Sequence, residues 1–151
     1  MLVDHRLRMF RSMRRGSTRQ LDEVGRAYRL WIRREIRAHR FVAFVAVTAD
    51  RERIASGGVW LQPFPPRPGR LKPLAVPYLM SMYTDPSHRH SGAATAIIRA
   101  AIHWARERGF TRLILHASRF GRPLYRRLGF VRGWEMRMDL PMKTPRRGRP
   151  S

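Results

Sequence analysis

Tyr83-Thr84-Asp85-Pro86-Ser87-His88-Arg89-His90-Ser91-Gly92-Ala93-Ala94 is the stretch on which the reading of this chain turns. Before it, Tyr78 to Thr84 reads as a strand that Pro86 ends. After it, Ala93 to Arg108 is the clearest helix, with Ala94, Ile97, Ile98, Ala101, Ile102 and Ala105 on one stripe. The segment is thus a tight loop feeding a helix N-terminus, where the first N–H groups lack an internal partner and carry partial positive charge. Gly92 lets a ligand approach the backbone without a Cβ in the way, and Ala93 and Ala94 keep the helix end small. A diphosphate bound there would accept several of those N–H bonds, with Ser91 in the same loop and with charge-assisted contacts from Arg89 and His90. The pattern R-x-x-G-x-A also fits a plain helix start with Arg89 in solvent. Its place between a strand and a long helix favours the phosphate.

Working outward, Leu2 to Met13 reads as a short amphipathic helix with Leu7, Phe10 and Met13 on one side, ended by Gly16. Ser17 and Gln20 form a capping box for a second helix, whose apolar face is Leu21, Val24, Tyr28, Trp31, Ile32 and Ile36. Phe41 to Val47 reads as a buried strand and Arg53 to Leu61 as a second one carrying Gly57 and Gly58. The prolines make Phe64 to Pro73 a loop. Beyond the long helix, Gly109 and Phe110 supply a stop signal. Arg112 to His116 is a strand, Arg122 to Leu128 a short helix with Pro123 in its first turn, and Trp134 to Leu140 a final alternating strand. Three strands that meander, then strand–helix–strand, predict a mixed α/β (α+β) fold. Its sheet is mostly antiparallel with one parallel crossover. Residues 1–140 form one domain and 141–151 a basic, disordered tail.

The second motif is His116-Ala117-Ser118-Arg119-Phe120-Gly121-Arg122-Pro123-Leu124-Tyr125-Arg126-Arg127-Leu128-Gly129-Phe130. With it the chain resembles the GNAT superfamily of acetyl-CoA-dependent N-acetyltransferases. Arg89-x-x-Gly92-x-Ala94 is similar to the family's pyrophosphate signature, and Tyr125-x-x-x-Gly129-Phe130 to its second hallmark. One helix and one strand separate them, as the family requires. The resemblance covers about Phe41 to Leu140. It implies a V-shaped opening between the strands ending near Tyr83 and His116, with helices on both faces of the sheet. Acetyl-CoA would lie there as co-substrate, its pantetheine arm paired with the backbone of Met82, Tyr83 and Thr84. A backbone N–H would polarise the thioester carbonyl. Ser118 stands where many members carry a pantetheine-contacting asparagine, and Tyr125 matches the tyrosine that protonates the leaving thiolate. The acceptor would be an amine. For its general base Glu35, Asp85, Glu135 and His116 are the candidates.

The resemblance also implies an edge strand ahead of the first helix, and the sequence given offers none. A sheet without it keeps an open edge that invites pairing into a homodimer. His88 and His90 stand two apart but have no third ligand in view, so no metal is expected. There is no cysteine, which excludes disulfides and thiolate metal sites. No apolar run reaches the roughly 20 residues that span a bilayer, and a cytoplasmic protein is expected. The net charge of +22 will attract nucleic acid non-specifically. The 32 basic residues run through the whole chain, and only Lys72 and Lys143 are lysine. They leave as the alternative a basic protein that binds nucleic acid or the ribosome on the same fold with vestigial CoA affinity.

Overall fold

The computed structural model describes residues 1–66, 68, 74–136 and 138. Helices α1 (Leu2–Ser12) and α2 (Thr18–Arg37) come first. Strands β1 (Phe41–Val47), β2 (Arg53–Phe64) and β3 (Leu74–Thr84) follow, then α3 (Ala93–Glu107), β4 (Ile114–Leu115) and α4 (Arg122–Arg127). The strands form one sheet in the order β1-β2-β3-β4. The first three pair antiparallel, and β3 and β4 run parallel through Tyr78–Ile114 and Leu79–Leu115. This is the mixed sheet that the order of elements predicts. Among the described residues no helix is long and apolar enough to cross a membrane.

The helix ends form as their residues dictate. Ser17 Oγ accepts from the Gln20 N–H at 3.3 Å, and the Gln20 side chain accepts from the Ser17 N–H at 2.8 Å. Past α3, Gly109 takes a φ of +71°, and the Phe110 N–H reaches back to the Ala105 carbonyl at 3.0 Å. That turn stacks Phe110 on Trp104.

Both faces of the sheet are covered. On one, Val59 and Leu79 pack against Ile98 and Ala101 of α3, with Leu124 and Tyr125 of α4 and Leu128 just past its end closing over them. Each large apolar side chain buried there contributes about 1.5–3 kcal/mol. On the other face Tyr28 and Ile32 of α2 pack on Phe41, Trp31 and Trp60. Gly57 and Gly58 serve this packing. A Cβ on Gly58 would fall within the Phe41 ring, and one on Gly57 would fall against the Met82 sulfur and the Ile97 methyl.

The structure corrects several sequence readings. β2 runs on to Phe64, so Phe64 ends a strand rather than opening a loop; most of the expected Phe64–Pro73 loop lies outside the described residues. Pro63 is tolerated because the Leu61 N–H, bonded to the Arg40 carbonyl at 2.8 Å, is the last contact of β2 towards β1. Beyond it that edge needs no donor. β3 likewise begins at Leu74, ahead of Pro77. β4 shrinks to two residues from the expected Arg112–His116. β1 is not buried on both sides, since it is the sheet's edge and leaves Ala43, Val45 and Val47 exposed.

The stripe of α2 is Leu21, Gly25, Tyr28, Ile32 and Glu35, while Val24 and Ile36 are exposed. On α1 the most buried residue is His5, and Met13 is exposed. The final strand, Trp134–Leu140, does not form in the part described. Residues 134–136 and 138 pair with no strand, and the rest lies outside the described residues, as does the tail at 141–151.

Candidate functional site

The parallel pairing of β3 and β4 lasts only two residues. Past Leu79 the β4-facing edge of β3 has no strand partner among the described residues, so its backbone donors and acceptors face an opening. A bulge lies at the same place. Gly58 pairs with Met80 and Ser56 with Tyr83, which leaves Ser81 and Met82 opposite Gly57 alone. Ser81 takes a φ of +56° there. Met82 turns its side chain into the core over Gly57, which fixes its main chain at the opening. Thr84 closes the strand.

Tyr83 contributes backbone to the opening, but its side chain is buried on the α1 side. Its hydroxyl donates to Asp85 Oδ1 at 2.9 Å, and its ring lies 4.9 Å from that of His5. Burial first, then the Asp85 bond, pushes the Tyr83 phenol pKa up.

From Thr84 the chain passes through a short turn at Pro86–His88 into the loop before α3. Arg89, His90 and Ser91 are exposed, and the Ser91 hydroxyl donates to the His88 carbonyl at 2.7 Å. Gly92 caps α3 with a φ of +87°, and no side chain caps that helix end. A Cβ on Gly92 would meet nothing within 4 Å, so the space in front of the helix is open. Ala93 is buried and Ala94 partly so, which keeps the rim low. An open helix N-terminus with no capping side chain, flanked by Arg89, fits a bound diphosphate.

The second arm of the opening follows β4. Ser118 is exposed, its hydroxyl accepting from the Gly121 N–H at 3.1 Å, and so it shapes the turn into α4. Tyr125 packs edge-on against Phe130 at 5.7 Å. Gly121 makes room for its ring, since a Cβ there would come 3.0 Å from Tyr125 Cε2. Burial first, then nearby Tyr78, holds the Tyr125 phenol pKa above its ordinary value.

On the α1 and α2 side of the opening lies a polar group that the apolar pattern did not reveal. Tyr78 Oη lies 2.7 Å from His116 Nδ1, and His116 Nε2 lies 2.9 Å from Glu135 Oε1. Next to them, Arg6 Nη1 donates to Ser81 Oγ at 2.6 Å, and Tyr28 Oη lies 3.5 Å from the same oxygen. His5 Nδ1 lies 2.8 Å from Ser56 Oγ, and burial holds the His5 pKa down.

The four candidate bases therefore separate. Glu35 is buried and accepts from Arg40 at 2.8 and 2.9 Å, from Trp60 Nε1 at 3.0 Å and from Arg34 at 3.2 Å. Chiefly through Arg40, its carboxyl is held down at about 2. Such a carboxylate is structural. Asp85 is occupied by Tyr83 and by Arg8 at 3.4 Å. His116 and Glu135 remain, and the fold joins them. His88 and His90 gather no third ligand: among the described residues no three His, Cys, Asp or Glu side chains could hold a metal ion.

Sequence reading missed His5, Arg6, Tyr28, Ser81 and Tyr78 as residues of this opening. The available signal was α1 itself, a helix whose third-and-fourth spacing puts Leu2, His5, Arg6 and Met9 on one face. A polar pair at the centre of an inward face marks a site rather than a core.

The comparisons agree with this fold. The acetyltransferase (GNAT) family matches residues 7–130. A GCN5-related N-acetyltransferase from Ralstonia eutropha superposes with a TM-score of 0.79 at 28% identity, over 92% of this chain and 90% of that one. A predicted acetyltransferase from Clostridium acetobutylicum, solved with acetyl-CoA, gives 0.78 at 24% identity, over 93% and 87%. An acetyltransferase from Trypanosoma brucei gives 0.59 at 29% identity, over 77% and 80%. No curated protein matches the chain.

Proposed function

The chain belongs to the GNAT acetyltransferase family, and from that premise we propose that it moves an acetyl group from acetyl-CoA to a primary amine. One observation carries the reading. The bulged free edge of β3 and the uncapped N-terminus of α3 open on the same opening, joined by the loop Asp85–Ser91. The free edge of Met80 to Thr84 offers backbone pairing to an extended pantetheine arm, and the α3 amides with Arg89 offer a cradle for its diphosphate. The alternative of a nucleic-acid- or ribosome-binding protein has no support in the comparisons.

In this reading the chain's own groups divide the work. Main-chain N–H groups at the Ser81–Met82 bulge stabilise the charge that develops on the thioester carbonyl oxygen. Tyr125 gives its proton to the departing CoA thiolate, and its raised pKa keeps that proton in place until the thiolate forms. The Tyr78–His116–Glu135 chain takes the proton that the amine loses on attack. Tyr78 Oη accepts it while its own proton passes to His116 Nδ1, and Glu135 stabilises the imidazolium.

The test is calorimetric binding of acetyl-CoA at about 150 mM salt, where screening limits exposed-charge attraction to about 8 Å. ATP and a generic polyanion serve as controls. One-site binding preferred over both is expected, with loss in Gly92→Glu, whose side chain would occupy the space in front of α3. Binding no tighter than the polyanion, or unchanged in Gly92→Glu, would remove the proposed site. Amine screening then follows CoA release with a thiol reagent, which the chain itself cannot consume because it has no cysteine.

A further inference from the structure

Arg6 is a partly buried cation that has no counter-ion among the described residues. Among the described residues no carboxylate lies within salt-bridge distance of it, and its Nε is buried with no hydrogen-bond partner. Its partners are neutral: Ser81 Oγ at 2.6 Å and the ring faces of Tyr28 at 4.4 Å and Phe10 at 5.0 Å. The contrast with its neighbours is informative. Arg8, on the same helix with a side chain 48% exposed, holds both Asp4 and Asp85. Arg40, 45% exposed, holds Glu35. Both are more exposed than Arg6 and both hold a carboxylate, whereas Arg6 holds none among the described residues. A buried charge left unpaired is costly, so such groups are normally matched by an opposite charge.

Its position says where the match would come from. Ser81 is a residue of the β3 bulge, at the mouth of the opening, and Tyr78 is close enough to feel the Arg6 charge. Resting on the function proposed above, we propose that Arg6 is the anion anchor of the acceptor pocket. The amine that is acetylated then carries a carboxylate or phosphate on the end away from its nitrogen. The anion supplies the counter-charge that the described residues do not, and the anchored molecule presents its amine beside Tyr78. An acceptor held this way also suits a chain of net charge +22, which draws anions towards itself.

The experiment compares product pairs that differ only in the anion. N-acetylated amino acids are titrated against their amides, and N-acetyl-phosphoethanolamine against N-acetylethanolamine. Titrations are run both with CoA and without it. The variants are Arg6→Met, Arg6→Lys and, as a control that removes the same charge from the exposed surface, Arg33→Met. At least one charged product is expected to bind about tenfold tighter than its neutral twin, which corresponds to about 1.4 kcal/mol. That preference should vanish in Arg6→Met and persist in Arg33→Met. Arg6→Lys should lose most of it, because one ammonium cannot hold Ser81 and a planar anion as a guanidinium fork does. If Arg6→Met fails to unfold cooperatively, Arg6→Lys decides. No charged product outbinding its twin, or a preference that survives in the Arg6 variants, would overturn the proposal. CoA affinity, measured on the same samples, reports separately on the acetyltransferase reading.

Discussion

Tyr78 and His116, 38 positions apart in the chain, share a 2.7 Å hydrogen bond at the point where β3 and β4 stop pairing. The bond exists because Tyr78 opposes Ile114 in the parallel ladder and His116 lies two residues further along. Both side chains then stand on the α1 and α2 side of the opening. Glu135 completes the chain at 2.9 Å from Nε2. His116→Asn should lower kcat by about 10²–10⁴-fold, the usual contribution of a positioned acid or base. Its acetyl-CoA affinity should stay within about twofold of the parent's, because the side chain faces away from the α3 loop. Raising pH should rescue part of the rate by supplying the amine already deprotonated. Steady-state rates across pH check this, and equal losses at every pH would assign His116 a structural role.

Tyr125→Phe tests the other proton. The phenol pKa is raised, by burial first and Tyr78 second, so the group stays protonated through the neutral range and is ready to donate. The variant should keep CoA binding and stability and lose kcat by about 10²-fold or more with a basic, poor leaving thiolate such as that of CoA. An acyl donor whose thiol is a better leaving group should restore much of that loss. Single-turnover kinetics with two thioesters would read it out, and no difference between the donors would leave Tyr125 as a packing residue.

Glu35 governs acid stability. Its folded carboxyl lies at about 2, below the ordinary value of 4.5, with the Arg40 bonds as the main cause. The group is ionised and stabilising above pH about 4.5, and its contribution falls away as the pH drops towards 2. Glu35→Leu should destabilise the fold by about 1–3 kcal/mol at neutral pH, chiefly because the Trp60 N–H loses its acceptor while Arg40 and Arg34 remain solvated. The variant's stability should also lose much of its slope between pH 4.5 and 2. Denaturant titrations across pH test both parts.

Gly58→Ala isolates a packing cause. The added methyl would fall within the Phe41 ring, so that ring must move from its place against Tyr28 and Ile32. A loss of about 1–3 kcal/mol is expected, typical of overpacking in a core. Gly58→Ala with Phe41→Leu should recover part of it, because the smaller side chain vacates the space. Thermal unfolding of the single and double variants checks the coupling. Additive losses would place the strain elsewhere.

The sequence by itself determined the elements whose cause is local. The Ser17–Gln20 box, the stripe of α3, the Gly109 and Gly129 stops and the strand at Phe41–Val47 are set by residues within a few positions of one another. The order of those elements with the Arg89–Ala94 and Tyr125–Phe130 motifs carried the family as well. Only the tertiary structure decided what depends on partners far along the chain. Pro63 reads as a break in one dimension, yet it lies in β2 past the last bond to β1, where no partner asks for its missing N–H. Glu35 is a candidate base in the sequence, and the fold closes Arg40, Trp60 and Arg34 on it. Arg6 is one arginine among many in the sequence. It becomes distinct in the fold because burial removes its water, and among the described residues no carboxylate comes within salt-bridge distance of it. Periodicity records which side chains leave water, but the chemistry of a site depends on which groups meet after they have left it.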